Sequence, residues 1–254
     1  GYKSIEEWKN AEVKFSPLHD LVFRSHERLG NKVELWTHQK ITDFSYQGIE
    51  IKDASELISH EIVYQTLEWG HSIAFVADAI RIKRASQVLG IVLDMDCVCL
   101  RSFPEHEELT IFPIKIGKTT QKIMSEFADK IILKLQMKPR GGTDEWNSIL
   151  WTVKAIANTD VTAKIYQPIY MSPLPAWLGS GKCYSLEDPT RLDGKTELFG
   201  YPLPSIDEIL EKSYTVAHFF ESAFQEADHI GIDQWNNIPE NSLLAAEMDF
   251  IGYK

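Results

Sequence analysis

Apolar and polar positions along the chain recur with two different periods. Ser16-Pro17, followed by Leu18, Leu21, Val22 and Ser25, predicts an amphipathic helix with Ser16 as N-cap and Pro17 at the first helical position. Gly30-Asn31 stops it, and Lys32-Val33-Glu34-Leu35-Trp36 then alternates like a strand. Asp53 to Ile58 reads as a short helix. From about Ser72 to Leu89 the apolar positions Val76, Ala79, Ile80 and Val88 keep a roughly helical spacing, and Gly90 ends the run. Ile91-Val92-Leu93 is apolar at consecutive positions, which predicts a strand buried on both faces. Helix, glycine and buried strand in succession are α/β grammar.

Farther on, Leu109 to Ile116 and Lys130 to Leu135 read as strands. Asp144 to Ala157, Ile206 to Glu211, Val216 to Ala227 and Ser242 to Met248 read as helices. Tyr166 to Tyr201 is rich in Pro and Gly and reads as loops with short strands. There is no internal repeat and no Pro-, Gly- or Ser-rich linker, so residues 1–254 are expected to form one domain.

Charge narrows the function. A net charge of −11 argues against a general phosphate-backbone binder, which carries a basic field, so nucleic acid is not an expected partner. A small anionic ligand stays compatible, because a bound cation reverses the local field. Cys97, Cys99 and Cys183 make an odd number, with the first two only two positions apart. That is no disulfide framework, and it points to a reducing, cytoplasmic setting. No signal peptide and no apolar run of spanning length is found, although Gly1 at the start leaves an upstream anchor open.

The candidate chemistry lies at Leu93-Asp94-Met95-Asp96-Cys97. On a strand, positions i and i+2 share a side, so Asp94 and Asp96 would present two carboxylates together at a strand end. Hard oxygen ligands of this kind suit Mn²⁺ or Mg²⁺ with positions left for phosphate oxygens. A solvated pair of aspartates fits the same spacing. So does the nucleophile strand of haloacid-dehalogenase-type phosphohydrolases, although Cys97-Val98 stands where those enzymes carry a flexible Gly-Thr turn.

The neighbourhood separates these readings. Ala74-Phe75-Val76-Ala77-Asp78-Ala79-Ile80-Arg81, followed by Leu89-Gly90-Ile91-Val92-Leu93-Asp94-Met95-Asp96-Cys97-Val98-Cys99-Leu100-Arg101, resembles the signature of DxD sugar-binding-region glycosyltransferases. These are the family 32 type, related to capsular-polysaccharide glycosyltransferases. Gly48 to Ala54, Val216 to Phe220 and Pro239 to Leu243 resemble further segments of the family, while His106 to Gly194 matches poorly. Departures from the pattern are Ala77 for a serine, Ile82 for a tyrosine, Leu89 for a glycine and Phe220 for a tryptophan.

The resemblance implies a GT-A type nucleotide-binding mixed sheet flanked by helices. Residues 1–105 would form the nucleotide-sugar half and residues 106–254 the acceptor side. It implies transfer of a sugar, with retention, from a nucleotide-sugar (a UDP-sugar favoured) to a glycan or other acceptor. Asp78, Arg81 and Asp94 would contact the donor, and Trp8 would stack on its base. Asp94, Asp96 and His218 would hold Mn²⁺ or Mg²⁺. Without the resemblance, Asp78 and Arg81 read as a helix-surface ion pair, and Trp8 and His218 as structural residues. No catalytic base or nucleophile is assigned. Asp144 and Glu145 are the acidic pair to inspect, and the helix dipole alone also accounts for them. A sugar-nucleotide binder without turnover is the remaining alternative.

Overall fold

The computed structural model describes residues 4–69, 73–88, 90–103, 109–110, 114–116, 118–137, 197–198, 201–202, 204–217 and 235–253. These residues form a mixed α/β structure in which helices outweigh small sheets.

Helix α1 (Ile5–Asn10) starts at Ser4, whose hydroxyl accepts from the Glu7 backbone N–H at 3.1 Å. Helix α2 (Pro17–Leu29) begins as its sequence predicts, with Pro17 in the first turn after Ser16. His19 takes the reciprocal capping role, its Nδ1 accepting from the Ser16 backbone N–H at 3.0 Å. Gly30 ends the helix in the left-handed region at φ 65°, and Asn31 N–H returns to the His26 carbonyl at 3.1 Å.

Strands β1 (Val33–Thr37) and β2 (Ile49–Asp53) pair in parallel, Val33 opposite Ile49 and Thr37 opposite Asp53. Gly48, at φ 80°, leads into β2 so close to Asn31 that an added Cβ would lie 2.6 Å from its carbonyl oxygen. A single 3-10 turn (Ala54–Glu56) stands where the short helix was expected, capped by Asp53. It is followed by α3 (His60–Glu68) and α4 (Ile73–Ala85).

Strand β3 (Gly90–Val92) pairs antiparallel with β6 (Ile114–Ile116), which also pairs with β5 (Leu109–Thr110). The expected single strand from 109 to 116 is thus a hairpin. β3 is not the strand buried on both faces: Gly90 is exposed, Ile91 and Val92 half-buried. That role belongs to β4 (Cys97–Cys99), whose three residues are all buried and which pairs antiparallel with β9 (Thr215–Ala217). β9 covers Val216 and Ala217, the first two residues of the helix expected to run to Ala227, because Val216 is needed opposite Val98 in the ladder; the rest of that expected helix lies outside the described residues.

Helix α5 (Lys118–Leu135) overturns the strand expected at 130–135. A short apolar run fits either structure until its partner is known. Here Phe127, Ala128, Ile131 and Leu135 face α4 at helical spacing, and Leu133 between them is 61% exposed. β7 (Glu197–Leu198) and β8 (Tyr201–Pro202) form a small antiparallel pair. α6 (Ile206–Lys212) and α7 (Leu243–Ile251) are the helices expected near the end of the chain, capped by Ser205 and Ser242. The helix expected from Asp144 to Ala157 lies outside the described residues.

Two hydrophobic clusters result. The first joins α1, α3, α4 and α5 through residues such as Trp8, Val63, Ala79 and Ile131. The second joins α2, β4, β9, α6 and α7 through Leu21, Val98, Val216, Ile209 and Leu244. The Asp94–Asp96 segment carries the chain from one to the other. Among the described residues, no helix is long and apolar enough to cross a membrane.

Asp20 on α2 fastens the second cluster. It accepts from the hydroxyls of Tyr46 and Tyr253, both at 2.6 Å, and from Arg24 Nε at 3.2 Å. Burial opposes its charge, but the Tyr253, Tyr46 and Arg24 hydrogen bonds outweigh burial and hold the carboxyl below its ordinary range. Its stabilisation is present above the ordinary carboxylate range and fades as pH falls through its folded value. Replacing Asp20 with Asn should cost about 1–2 kcal/mol at neutral pH. The loss should shrink toward pH 2–3, as read by urea unfolding.

Candidate functional site

Asp78 and Arg81 lie one turn apart on α4. The face of α4 that carries Phe75, Val76, Ala79 and Ile82 is buried in the first cluster, which leaves Asp78 and Arg81 half-buried at its margin. Arg81 binds two carboxylates at once. Its Nη2 donates to Asp78 Oδ1 and its Nη1 to Asp94 Oδ1, while Nε donates to the Ala77 carbonyl at 3.4 Å. The two helix residues and the first aspartate of the acidic pair, thirteen residues beyond Arg81, are therefore brought together.

The acidic pair does not sit on a strand. β3 ends at Val92, and Asp94 to Cys97 form a turn in which the Cys97 N–H donates to the Asp94 carbonyl at 3.3 Å. The shared-side argument for strand positions i and i+2 does not apply, because the ladder with β6 stops before Asp94. Asp94 is 60% exposed and turns to Arg81. Asp96 is half-buried, and its Oδ1 accepts from the Cys97 thiol at 3.6 Å. Burial and the neighbouring Asp96 and Asp94 carboxylates push the Cys97 thiol well up, so it stays protonated and able to donate.

Two carboxylates, Asp78 and Asp94, share the Arg81 guanidinium, and a third, Asp96, stands two residues beyond Asp94 in the turn. That is the charge and the hard-oxygen chemistry that suit a divalent cation completed by phosphate oxygens. Protein ligands alone do not build a full cage: among the described residues there is no group of three or more His, Cys, Asp or Glu placed to hold a metal ion. His218, Asp144 and Glu145 lie outside the described residues. However, Ala217, which precedes His218 in the chain, is the ladder partner of Cys97, which follows Asp96.

Trp8, which the resemblance would have stack on the donor's base, is placed in the core. It lies on α1, is buried, and packs against the rings of His38 (centroids 5.5 Å apart) and His60 (5.6 Å). His38 in turn meets the Ile58 carbonyl at 2.6 Å. This is a core arrangement in the first cluster.

Sequence reasoning missed what fixes α4 in position. Arg84, one turn beyond Arg81, forms a fork with Glu34 on β1, at 2.7 and 2.6 Å. Trp36 Nε1 donates to the same carboxylate at 3.0 Å, and the Arg84 guanidinium lies 5.1 Å from the Trp36 ring centre. The Arg81/Arg84 spacing was visible, but nothing local points to a partner fifty residues away.

Cys99 and His26 are the other nucleophile-like pair, with Sγ 3.7 Å from Nε2. Burial lowers the His26 pKa to about 4 and raises that of Cys99 to about 12, so both are neutral. A thiolate–imidazolium pair is the opposite arrangement, and this one is structural: the Cys99 N–H also donates to Ser25 Oγ at 3.0 Å, tying β4 to α2.

Because folded His26 refuses a proton that the unfolded chain accepts below about pH 6.5, stability should fall as pH drops from there toward 4. Its share should be about 2 kcal/mol between pH 7 and pH 5. Urea midpoints should show that slope in the native chain and a flatter one in His26→Gln. No known protein family, curated protein or solved structure that was compared with the chain matches it.

Proposed function

We propose that the chain is a metal-dependent glycosyltransferase of GT-A type. It would transfer a sugar, with retention, from a nucleotide-sugar, a UDP-sugar favoured, to a glycan or other acceptor. The observation that carries this reading is the shared guanidinium of Arg81, which joins Asp78 on α4 to Asp94 beyond β3. The spacing of these residues in the sequence resembles a donor-sugar site, and the fold brings them into one cluster. The adjacency of Cys97 and Ala217 in the β4–β9 ladder supports a role for His218 beside Asp96. The parallel β1–β2 pair and the helices around it are the part that would form the nucleotide half. Buried free thiols at Cys97 and Cys99 suit a cytoplasmic setting.

In this reading Asp94 and Asp96, with His218, hold Mn²⁺ or Mg²⁺. The cation supplies charge neutralisation for the departing diphosphate. Asp78 orients donor hydroxyls, and Arg81 places a fixed positive charge where negative charge grows on the leaving phosphate. Charge of that kind lowers the barrier because it acts more strongly on the transition state than on the bound donor. Arg81 is held on a packed helix, which Arg84 and Glu34 anchor to β1, so little reorganisation is needed as the charge develops.

The test is a donor screen with Mn²⁺, scored by thermal shift and by sugar-nucleotide hydrolysis. A cognate UDP-sugar at saturating concentration should raise Tm by about 5 °C and be slowly hydrolysed. Asp96→Asn should lose both effects. If no UDP- or GDP-sugar stabilises the protein with Mn²⁺, the reading fails. Stabilisation without hydrolysis or transfer would make the chain a binding protein instead. Phosphate release from a generic phosphomonoester that depends on Asp94 would make it a phosphohydrolase.

A further inference from the structure

We infer that Arg28 and Arg101, two guanidiniums that share the ring of Phe250, form a binding site for a dianionic phosphate group. The site lies beyond the opposite end of β4 from the Asp94–Asp96 turn and stands independently of the metal-site reading above.

Arg28 is in the last turn of α2, Arg101 lies just beyond β4, and Phe250 is in the last turn of α7. The Cζ atoms of Arg28 and Arg101 are 5.2 and 5.6 Å from the centre of the Phe250 ring, which is 37% exposed. Each guanidinium donates from Nη2 to a main-chain carbonyl, Arg28 to Leu100 at 2.5 Å and Arg101 to Leu210 on α6. These bonds hold the two forks in place without neutralising them. Among the described residues neither arginine has a carboxylate partner, whereas Arg24, Arg81 and Arg84 each hold one. In a chain with 37 acidic side chains such partners are not scarce, so the gap is particular to this place.

The ends of α2 and α6 offset part of the charge. A helix C-terminus carries about half a negative charge, so the two together leave about one positive charge on the pair. The two cations also oppose each other. Burial first, and then the Arg101 charge, hold the Arg28 guanidinium below its ordinary pKa. An anion relieves that opposition. Arg101 Nε is in addition sealed from solvent and has no acceptor among the described residues. A buried donor without an acceptor marks a place where an ion or water belongs. Phosphate suits the pair better than a single carboxylate, because its oxygens can accept from two planar forks at once and its two charges match two cations. The Phe250 ring face attracts both guanidiniums and keeps them together at the surface.

The experiment titrates the full chain with inorganic phosphate at constant ionic strength, with EDTA present so that no divalent cation takes part. Binding is read from Tm and from the arginine Nε–H resonances. Phosphate at ten times a Kd of about 1 mM should raise Tm by about 3 °C over chloride and shift the Arg101 Nε–H signal. Arg28→Gln and Arg101→Gln should each weaken phosphate binding about tenfold or more. Arg24→Gln removes an arginine already paired with Asp20 and should leave the phosphate response unchanged. Arg28 is exposed, so its variant keeps the test readable if Arg101→Gln fails to fold. No rise in Tm overturns the site. A response that survives Arg28→Gln, or that falls as far in Arg24→Gln, means an adventitious ion only and overturns it as well. Equal stabilisation by acetate overturns the phosphate assignment. A response lost in Arg81→Gln alone places the phosphate at the other site, which sinks this inference and leaves the metal-site reading standing.

Discussion

The chain must pass from one hydrophobic cluster to another between Val92 and Cys97, and the passage has to be polar. Val92 packs against the cluster built on α4 and α5, and Val98 belongs to the one built on α2, β4 and β9. A turn between two cores is the one place where two aspartates can follow a strand without being buried in either. Arg81 makes that turn a defined structure by taking Asp94 onto the α4 margin. The position of every candidate donor or metal residue that the structure describes, Trp8 apart, follows from this crossing. Asp78 and Arg81 sit on the helix before it, and Asp94 and Asp96 in the turn, Asp96 directly before the buried strand.

Local signals carried far into the sequence. The Ser16 cap with Pro17, the Gly30 stop, the alternation through Trp36, and the helices after Ser205 and Ser242 depend on neighbours a few residues away, and all are found. What was misread depends on distant partners. Ile131-Ile132-Leu133 is a strand-like run whose helical phase shows only against α4. Val216 looks helical until Val98 is opposite it. The consecutive apolar run before Asp94 marked the wrong strand as buried, because among the described residues β3 pairs with β6 alone, whereas Cys97–Cys99 is enclosed by α2 and β9. The Arg81–Asp94 contact was not legible in the sequence, since spacing alone places Arg81 only beside Asp78.

Electrostatics give the site its direction. The chain carries 37 acidic and 26 basic side chains, so an anionic donor would meet a mostly unfavourable field. At Asp94 the geometry is one guanidinium, Arg81, shared by the Asp94 and Asp78 carboxylates. In the proposed function the cluster would take a cation first and a phosphate oxygen second. Arg81 alone cannot reverse the sign, and Arg84 is committed to Glu34, whose carboxyl the Arg84 hydrogen bonds hold below its ordinary range despite some burial.

The β4–β9 ladder extends that logic to the far end of the chain. Cys97 opposite Ala217 and Cys99 opposite Thr215 join segments more than a hundred residues apart, and the ordering cost of such a closure must be met by burial. It is met in the second cluster, where Val98 and Val216 are fully enclosed together with Leu21 and Leu244. Asp96 is therefore held by a strand that forms only when residues near the C-terminus have packed. Weakening that packing would loosen Asp96 without touching Asp78 or Arg81, whose support comes from α5 and β1. The two halves of the site are thus stabilised by different cores, and the turn between them is where they meet.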